Sequence, residues 1–371
     1  MNATTPSRWA CSGRAVHIFL AALLFATRLG AQTKPVDATP SEAHHHHDAS
    51  HADPAITLRA ERVGGDIVLD LGPMSLPANA GHDGVGQPPP LSVALPSEGW
   101  IRGLKIELVD AAGQPVPHDV IHHINVIVPG RRELFSPIML RIGAAGQETG
   151  PLVLPRLLGY RVQTGDTVLV TAMLHNPTST SYDGVRLRLH LPFVSSGAFI
   201  GAFSIVPFYL DVMPPAGTHS YELPAGHSEK YWEGKPAIAG RVLAVGGHLH
   251  RYGVALRLED RTEGKVLWEA KPTKDSTGEV TSMPTAKFLW RLGIKIHPDH
   301  VYRLTAVYDN PTGASIPDGG MGALGGVIVP ASSATWPRVV LDDPEYQKDV
   351  RITYRLDPQP ATHVHGGGQR H

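Results

Sequence analysis

The sequence predicts an all-β protein built from β-sandwiches, and three features of the 371-residue chain support this prediction. Gly (39 residues) and Pro (33 residues) are plentiful and only 18% of residues are charged, which is typical of turn-rich β proteins. Stretches that alternate apolar and polar residues recur along the chain, among them DIVLDLG, VIHHINVIV, DTVLVTAML and RVLAVGGHLH. No long stretch has helical periodicity. Many short strands in one chain favour sandwiches.

An internal repeat predicts two related domains. The segment DTVLVTAMLHNPT (166–178) matches DHVYRLTAVYDNPT (299–312), and both contain Thr-Ala-x-x-x-Asn-Pro-Thr. A histidine pair precedes each copy. We therefore predict two β-sandwich domains, at residues 56–197 and 198–357.

The ends of the chain predict export and disorder. Two arginines, the apolar run AVHIFLAALLFA and a small-residue LGA site predict a signal peptide over residues 1–31. Residues 32–55 and 358–371 are polar and histidine-rich, and we expect both to be disordered. The only cysteine, Cys11, leaves with the signal. We expect a periplasmic or secreted protein that has no membrane association after cleavage. A net charge of −1 without a basic block disfavours nucleic-acid binding.

Histidine, with 21 residues, is the unusual feature of the composition and favours metal binding. His248 and His250 lie two apart in a predicted strand, so they share a face roughly 7 Å apart and could bind one metal ion. They could also be exposed or hydrogen-bonded side chains. His122 and His123 are adjacent and point to opposite faces of a regular strand. They could bind one ion only if the strand bulges or twists there.

Met321 lies among glycines in DGGMGALGG. A thioether is a soft ligand that suits Cu(I), although a loop methionine can also simply contact a neighbouring strand. The G-x-G-x-x-G pattern in this segment is followed by the strand-like GVIVP, which excludes a dinucleotide-binding loop. The chain has no G-x-S-x-G, phosphate-binding loop, H-E-x-x-H or C-x-x-C motif, which disfavours hydrolase and zincin functions.

Five segments together resemble the copper type II, ascorbate-dependent monooxygenases, the family of peptidylglycine α-hydroxylating monooxygenase and dopamine β-monooxygenase. In chain order they are DVIHHINVIVPG, LPRLLGYRVQTGDTVLVTAMLHNPT, FYLDVMPPAG, GGHLHRYG and DGGMGALGG. The resemblance covers most of residues 60–355 and depends on the order and spacing of the segments. It implies two tandem jelly-roll β-sandwich domains that face each other across a watery cleft.

The resemblance also implies two coppers per chain, an ascorbate-like reductant, O2 and a small-molecule substrate. His248, His250 and Met321 would hold the oxygen-binding copper and carry catalysis. His122 and His123 would hold the electron-transfer copper. The third ligand of that site falls at Met173 or at His175, which share a strand face.

The position of this third ligand is one departure from the family. Two other departures concern the substrate and the stability of the protein. Gly246 stands where the amidating members carry an arginine for the peptide carboxylate, which disfavours peptide amidation. The disulfides of the family are absent, so packing alone must hold the domains together.

The sequence thus favours a copper-dependent monooxygenase that hydroxylates a C–H bond of a small substrate with O2 and an external reductant. The alternative is a periplasmic copper-binding or chaperone protein on the same scaffold without turnover. A third interpretation is a carbohydrate- or protein-binding β-sandwich whose histidines are incidental.

Overall fold

The computed structural model describes residues 55–147, 149–198, 203–214, 219–288 and 292–356. The predicted signal peptide and the histidine-rich runs at both ends lie outside the described residues. Within those ranges, no helix has the length and apolar character that crossing a membrane requires.

The first half of the described chain consists of strands in two antiparallel-rich sheets. One sheet has the order β1-β2-β11-β4-β9-β12, with β5 and β8 paired at its side, and the other has the order β3-β10-β6-β7. The strands are β1 (Thr57–Val63), β2 (Asp66–Leu76), β3 (Leu91–Ala94), β4 (Gly99–Ile101), β5 (Gly103–Val109), β6 (Ile121–Arg132), β7 (Met139–Ala145), β8 (Leu152–Val153), β9 (Leu158–Val162), β10 (Thr167–Leu174), β11 (Tyr182–Ser195) and β12 (Phe203–Ser204).

The described part of the second half forms its own sheets and one α-helix. Two larger sheets have the orders β13-β25-β16-β21, with β22 paired to β16, and β15-β23-β17-β18, and two small sheets pair β14 with β24 and β19 with β20. The elements are β13 (Val206–Asp211), β14 (Tyr221–Leu223), β15 (Gly226–Gly234), β16 (Gly240–Leu249), β17 (Gly253–Asp260), β18 (Lys265–Ala270), β19 (Thr273–Lys274), β20 (Val280–Ser282), β21 (Ala286–Lys287), β22 (Ile294–Ile296), β23 (Tyr302–Asn310), β24 (Ile316–Gly320), β25 (Gly322–Pro330) and α1 (Pro344–Thr353).

The all-β prediction is confirmed, and the period-two pattern explains it. In β11, Val185, Leu187 and Leu189 are buried in the core, whereas the arginines between them are not. The jelly-roll connectivity and the domain boundary at residue 197 stay predictions.

The two Asn-Pro-Thr segments of the repeat have the same local structure. The buried Asn176 side chain donates to the carbonyls of Leu76 and Thr180, and its Oδ1 accepts from the backbone and hydroxyl of Thr178. Asn310 likewise donates to the carbonyls of its own half and accepts from Thr312. Each asparagine thereby fixes the turn that follows β10 or β23.

Packing and hydrogen bonds connect the two halves. The Phe135 ring lies 5.9 Å from Phe208 and 6.0 Å from Tyr302. The fully buried Glu133 carboxylate accepts from the backbone of Arg141 in its own half and of Tyr209 in the other. The expectation that packing joins the halves agrees with these contacts.

Helix α1 follows the second half in sequence but packs on a sheet of the first half. Tyr346 joins Ile127, Met139 and Leu169 in a small apolar cluster. Beside this cluster, the Asp349 carboxylate accepts from the Arg141 guanidinium at 2.7 Å, and both side chains are buried. The helix begins at an Asp343 N-cap, whose side chain accepts from the backbone of Glu345.

Candidate metal centre

Histidine side chains from both halves meet where the outer faces of two sheets approach each other. The His123 ring of β6 lies 5.7 Å from the His248 ring of β16, and the His122 ring lies 6.2 Å from that of His250. The resemblance implied a watery cleft between these pairs, but here their rings are neighbours. We call this group the histidine cluster; it consists of His82, His122, His123, His175, His248 and His250.

A β-bulge explains how two adjacent histidines reach the same side of β6. Met173 of β10 pairs with His123, but the next residue, Leu174, pairs with Ile121. His122 is therefore an extra residue on β6, and both imidazoles turn away from the core, where Ile121 and Ile124 are buried. The two rings lie 4.0 Å apart. The bulge that the sequence analysis required for a shared role is present.

His175, directly after β10, is another predicted ligand that lies in the histidine cluster. Its Nε2 lies 2.6 Å from the carbonyl oxygen of Asp119, and its backbone donates to the carbonyl of Val120. The hydrogen bond through Nε2 leaves Nδ1 to face a metal ion. Met173 is 38% exposed and lies on the same strand face as His123. Of the two candidates for the third position, His175 therefore belongs to the cluster and Met173 borders it.

His82 is a member of the histidine cluster that the sequence analysis missed. It lies in a 3-10 turn (His82–Gly84), where no strand periodicity exists, and the only sequence signal was a histidine between glycines. The Gln87 side chain donates to the carbonyls of His82 and Leu174 and accepts from the backbone of Leu174, so it fixes this turn to β10.

The imidazoles of His82, His122 and His175 have the geometry of a metal site. Each offers one nitrogen, and these nitrogens lie within 4.8 Å of one another. The ring centroids are 4.4 Å apart for His82 and His122 and 5.1 Å apart for His82 and His175. We call these three residues the first triad. In this triad, His82 from a distant loop takes the place beside His122 that the sequence analysis gave to His123.

One buried hydroxyl group makes hydrogen bonds with the backbones of two predicted oxygen-site residues, His250 and Met321. The Tyr308 hydroxyl of β23 accepts from the backbone N–H groups of His250 and Met321, at 2.9 and 3.0 Å, and donates to the carbonyl of Met321. Strand pairing places Leu249 opposite Gly322, so Met321 lies beside His250. Met321 is only 7% exposed. Tyr308, which the sequence analysis also missed, holds both backbones in place.

Burial favours the neutral form of three histidines of the cluster, His82, His122 and His123. Burial, reinforced by the charges of His82 and His250, lowers the pKa of His122 to about 3. Burial and the neighbouring His122 place the pKa of His123 well below its ordinary value, and burial lowers that of His82. Neutral imidazoles are the form that binds metal ions, so these three side chains can accept a cation near neutral pH.

Next to His248, the outer face of its sheet has a floor of small residues. Register places Gly246 and Gly325 opposite each other, and His248 opposite Ala323. A Cβ at Gly325 would meet nothing within 4 Å, so the surface is open there.

A hydrogen-bonded set of polar side chains lies across this floor from His248. Asp211, which pairs with Ala323, has a fully buried side chain that accepts from Nδ1 of His219 at 2.9 Å and from the Tyr209 hydroxyl. The Tyr221 hydroxyl is buried nearby and has no hydrogen-bond partner among the described residues. These groups offer a polar wall beside the small-residue floor.

A second group with metal-ligand spacing, Asp260, Glu263 and His300, lies outside the cluster. Asp260 accepts from His300 and from the backbone of Thr262 and Glu263, which closes the turn after β17. This turn has a structural role.

Comparisons with known proteins leave the family open. No family model and no curated protein matches the chain. Among solved structures, PNGF-II is similar at 11% identity and a TM-score of 0.32, over 78% of this chain and 63% of that chain. The infectious bursal disease virus Gx strain structure is similar at 12% identity and a TM-score of 0.16, over 81% of this chain and 86% of that chain. Both TM-scores are low, and neither similarity bears on function.

Proposed function

We propose that this protein is a copper-dependent monooxygenase that hydroxylates a C–H bond of a small substrate with O2 and an external reductant such as ascorbate. The observation that carries the proposal is the histidine cluster with Met321 beside it. Two sheets from separate halves of the chain bring the imidazole rings together, and the strand register puts Met321 beside His250. The predicted signal peptide would place the reaction in the periplasm or outside the cell.

The donor set fits copper. Imidazole nitrogen binds both Cu(I) and Cu(II), and a thioether favours Cu(I), the state that reacts with O2. Three imidazoles alone would also suit zinc, so the preference for copper depends on Met321. Bound copper would supply one-electron redox chemistry and an open position for O2. His248, His250 and Met321 would hold the catalytic ion, and Tyr308 would position the last two.

The open face beside His248 supports a substrate role. An added Cβ at Gly325 would meet nothing within 4 Å, which leaves room for a ligand there, whereas an added Cβ at Gly246 would lie 3.2 Å from the side chain of Thr285. Gly246 stands in place of the family's arginine, so we propose a substrate without a recognised carboxylate. His219, oriented by the buried Asp211, presents its Nε2 for a hydrogen bond to a polar group of the substrate.

The alternative function is copper binding or delivery without turnover. The histidine-rich runs predicted at both ends of the chain favour it, because they would raise the local metal capacity. Met173 on the face of His123 would add a soft ligand that stabilises Cu(I) and resists redox cycling.

Oxygen consumption separates the two functions. The copper-loaded protein is mixed with ascorbate, and oxygen uptake is recorded with and without catalase to correct for peroxide. Monooxygenase activity predicts uptake above the free-copper background that rises when a pool of small organic compounds is added, with product detected by mass spectrometry.

The control uses two buried methionines. Met321→Leu should abolish the uptake, whereas Met74→Leu, in the core of the first half, should leave it unchanged. Full uptake in Met321→Leu would refute the assigned oxygen site. Tight copper binding without uptake would favour the delivery function.

A further inference from the structure

The neighbouring histidines of β6 have different partners. The His122 ring lies 4.4 Å from His82 and 5.9 Å from His175, and these three form the first triad. Its distance to His250, at 6.2 Å, is longer than either. Among the described residues, His123 does not belong to the set whose nitrogens all lie within 4.8 Å of one another.

The His123 ring instead faces the second half. It lies 5.7 Å from His248 and 6.4 Å from His250, whose rings are 5.2 Å apart. Three imidazoles on one tetrahedral ion have ring centroids about 5 Å apart, because metal–nitrogen distances are about 2.0 Å. The first triad comes close to that spacing. The rings of His123, His248 and His250 are spread more widely, and their nitrogens are not among the described groups that lie within 4.8 Å of one another, so an ion would have to draw them closer. We call His123, His248 and His250 the second triad.

We propose that two metal ions divide the adjacent histidines between them: one ion binds the first triad, and the other binds the second triad across the boundary between the halves. The inference rests on the proposed function only for the identity of the metal as copper. It assigns His123 to the oxygen-site ion, and it replaces His123 by His82 in the other site.

The second triad would act as a clamp. His123 belongs to the sheet β3-β10-β6-β7, and His248 and His250 belong to the end of β16 in the other half. An ion bound to all three would cross-link the sheets that no disulfide joins. Because an ion that binds only the folded arrangement stabilises it, copper should raise the unfolding temperature through this triad.

Copper retention in double variants tests the assignment. The full chain is loaded with Cu(I), challenged with bathocuproine disulfonate, and the retained copper is measured by elemental analysis. If the proposal is right, His123→Ala/His248→Ala loses one copper per chain relative to wild type, because both residues serve one ion. His82→Ala/His123→Ala loses two, because each residue serves a different ion.

The opposite pattern would overturn the proposal. If His122 and His123 share one ion, His82→Ala/His123→Ala loses one copper and His123→Ala/His248→Ala loses two. No loss from His123→Ala would also overturn it. The histidine-rich ends are identical in every variant, so their copper cancels in the comparison. Should His123→Ala fail to fold, His123→Gln takes its place.

Thermal unfolding provides a second readout. Copper should raise the unfolding temperature of wild type and of the control His190→Ala, whose imidazole lies on β11 near Glu107. The rise should be smaller in His123→Ala. An undiminished rise would overturn the clamp. Because neither readout uses oxygen, the clamp can hold when turnover is absent, and turnover can occur when the clamp fails.

Discussion

Single side chains decide how firmly the candidate metal ligands are positioned, and the Tyr308 hydroxyl is the clearest case. It saturates its hydrogen-bonding capacity with two backbone donors and one acceptor, all at His250 and Met321. Tyr308→Phe keeps the ring but leaves those buried backbone groups without a partner. We expect a loss of about 1–3 kcal/mol in unfolding free energy and weaker Cu(I) binding at the oxygen site.

The matched control is Tyr302→Phe. Tyr302 is equally buried, and its hydroxyl accepts from the backbone of His297, away from the histidine cluster. Urea denaturation should show a loss of stability in both variants, whereas a Cu(I) competition titration should show weaker binding only in Tyr308→Phe. Equal copper affinity in the two variants would contradict a positioning role for Tyr308.

The buried histidines predict a pH dependence for the copper-free protein. Burial lowers the pKa of His122 to about 3, whereas an unfolded histidine titrates near 6.5. Between these values the unfolded chain binds a proton that the folded chain does not. Stability is therefore present above about pH 6.5 and falls as the pH drops toward 3, by about 1.4 kcal/mol per pH unit for each such histidine.

Denaturation of the copper-free protein at pH 7.5, 6.5, 5.5 and 4.5 measures this slope. His122→Phe should flatten it, and His227→Gln, on the exposed strand β15, should leave it unchanged. A slope that His122→Phe does not alter would mean that other groups carry the acid sensitivity.

At the scale of elements, the sequence predicted some features and not others. Period-two alternation identified strands such as β6, β10 and β16, because burying one face of a sheet requires that alternation. The bulge at His122 could only be stated as a condition, since it depends on the register between β6 and β10, which are far apart in sequence. The 3-10 turn of His82 reaches the site through Gln87, and neither leaves a periodic signal.

The repeat allows a paired prediction. Asn176 and Asn310 make equivalent hydrogen bonds in turns of equivalent sequence, so Asn176→Ala and Asn310→Ala should each cost about 1–3 kcal/mol of unfolding free energy. Only Asn176 follows His175 of the first triad. We therefore expect copper retention to fall in Asn176→Ala and to stay at the wild-type value in Asn310→Ala.

Chemical denaturation and elemental analysis of the two variants check this pair. A similar loss of copper in both would mean that the turns act through general stability rather than through the position of His175.

For the whole molecule, the proposed chemistry depends on how the two halves are arranged, because the histidine cluster exists only where their faces meet. Phe135, Glu133 and α1 all connect the halves at positions apart from the cluster. The α1 contacts are notable because the helix returns to the sheet that carries His123. Loosening helix α1 should therefore move His123 away from His248 and His250 before the sheets themselves unfold.

The buried pair of Arg141 and Asp349 tests that argument. Removing one partner leaves a buried charge uncompensated, so Arg141→Met or Asp349→Leu should each cost about 3–5 kcal/mol. The double variant should recover part of this loss, because an apolar pair removes both buried charges. The recovery should be incomplete, because the Met139 N–H that donates to Asp349 loses its acceptor. A double-mutant cycle by urea denaturation measures the coupling.

If α1 holds the halves in register, the single variants should also retain less copper at the second triad than His190→Ala, and the double variant should reverse that loss. Unchanged copper retention in both single variants would mean that the histidines meet without help from the helix.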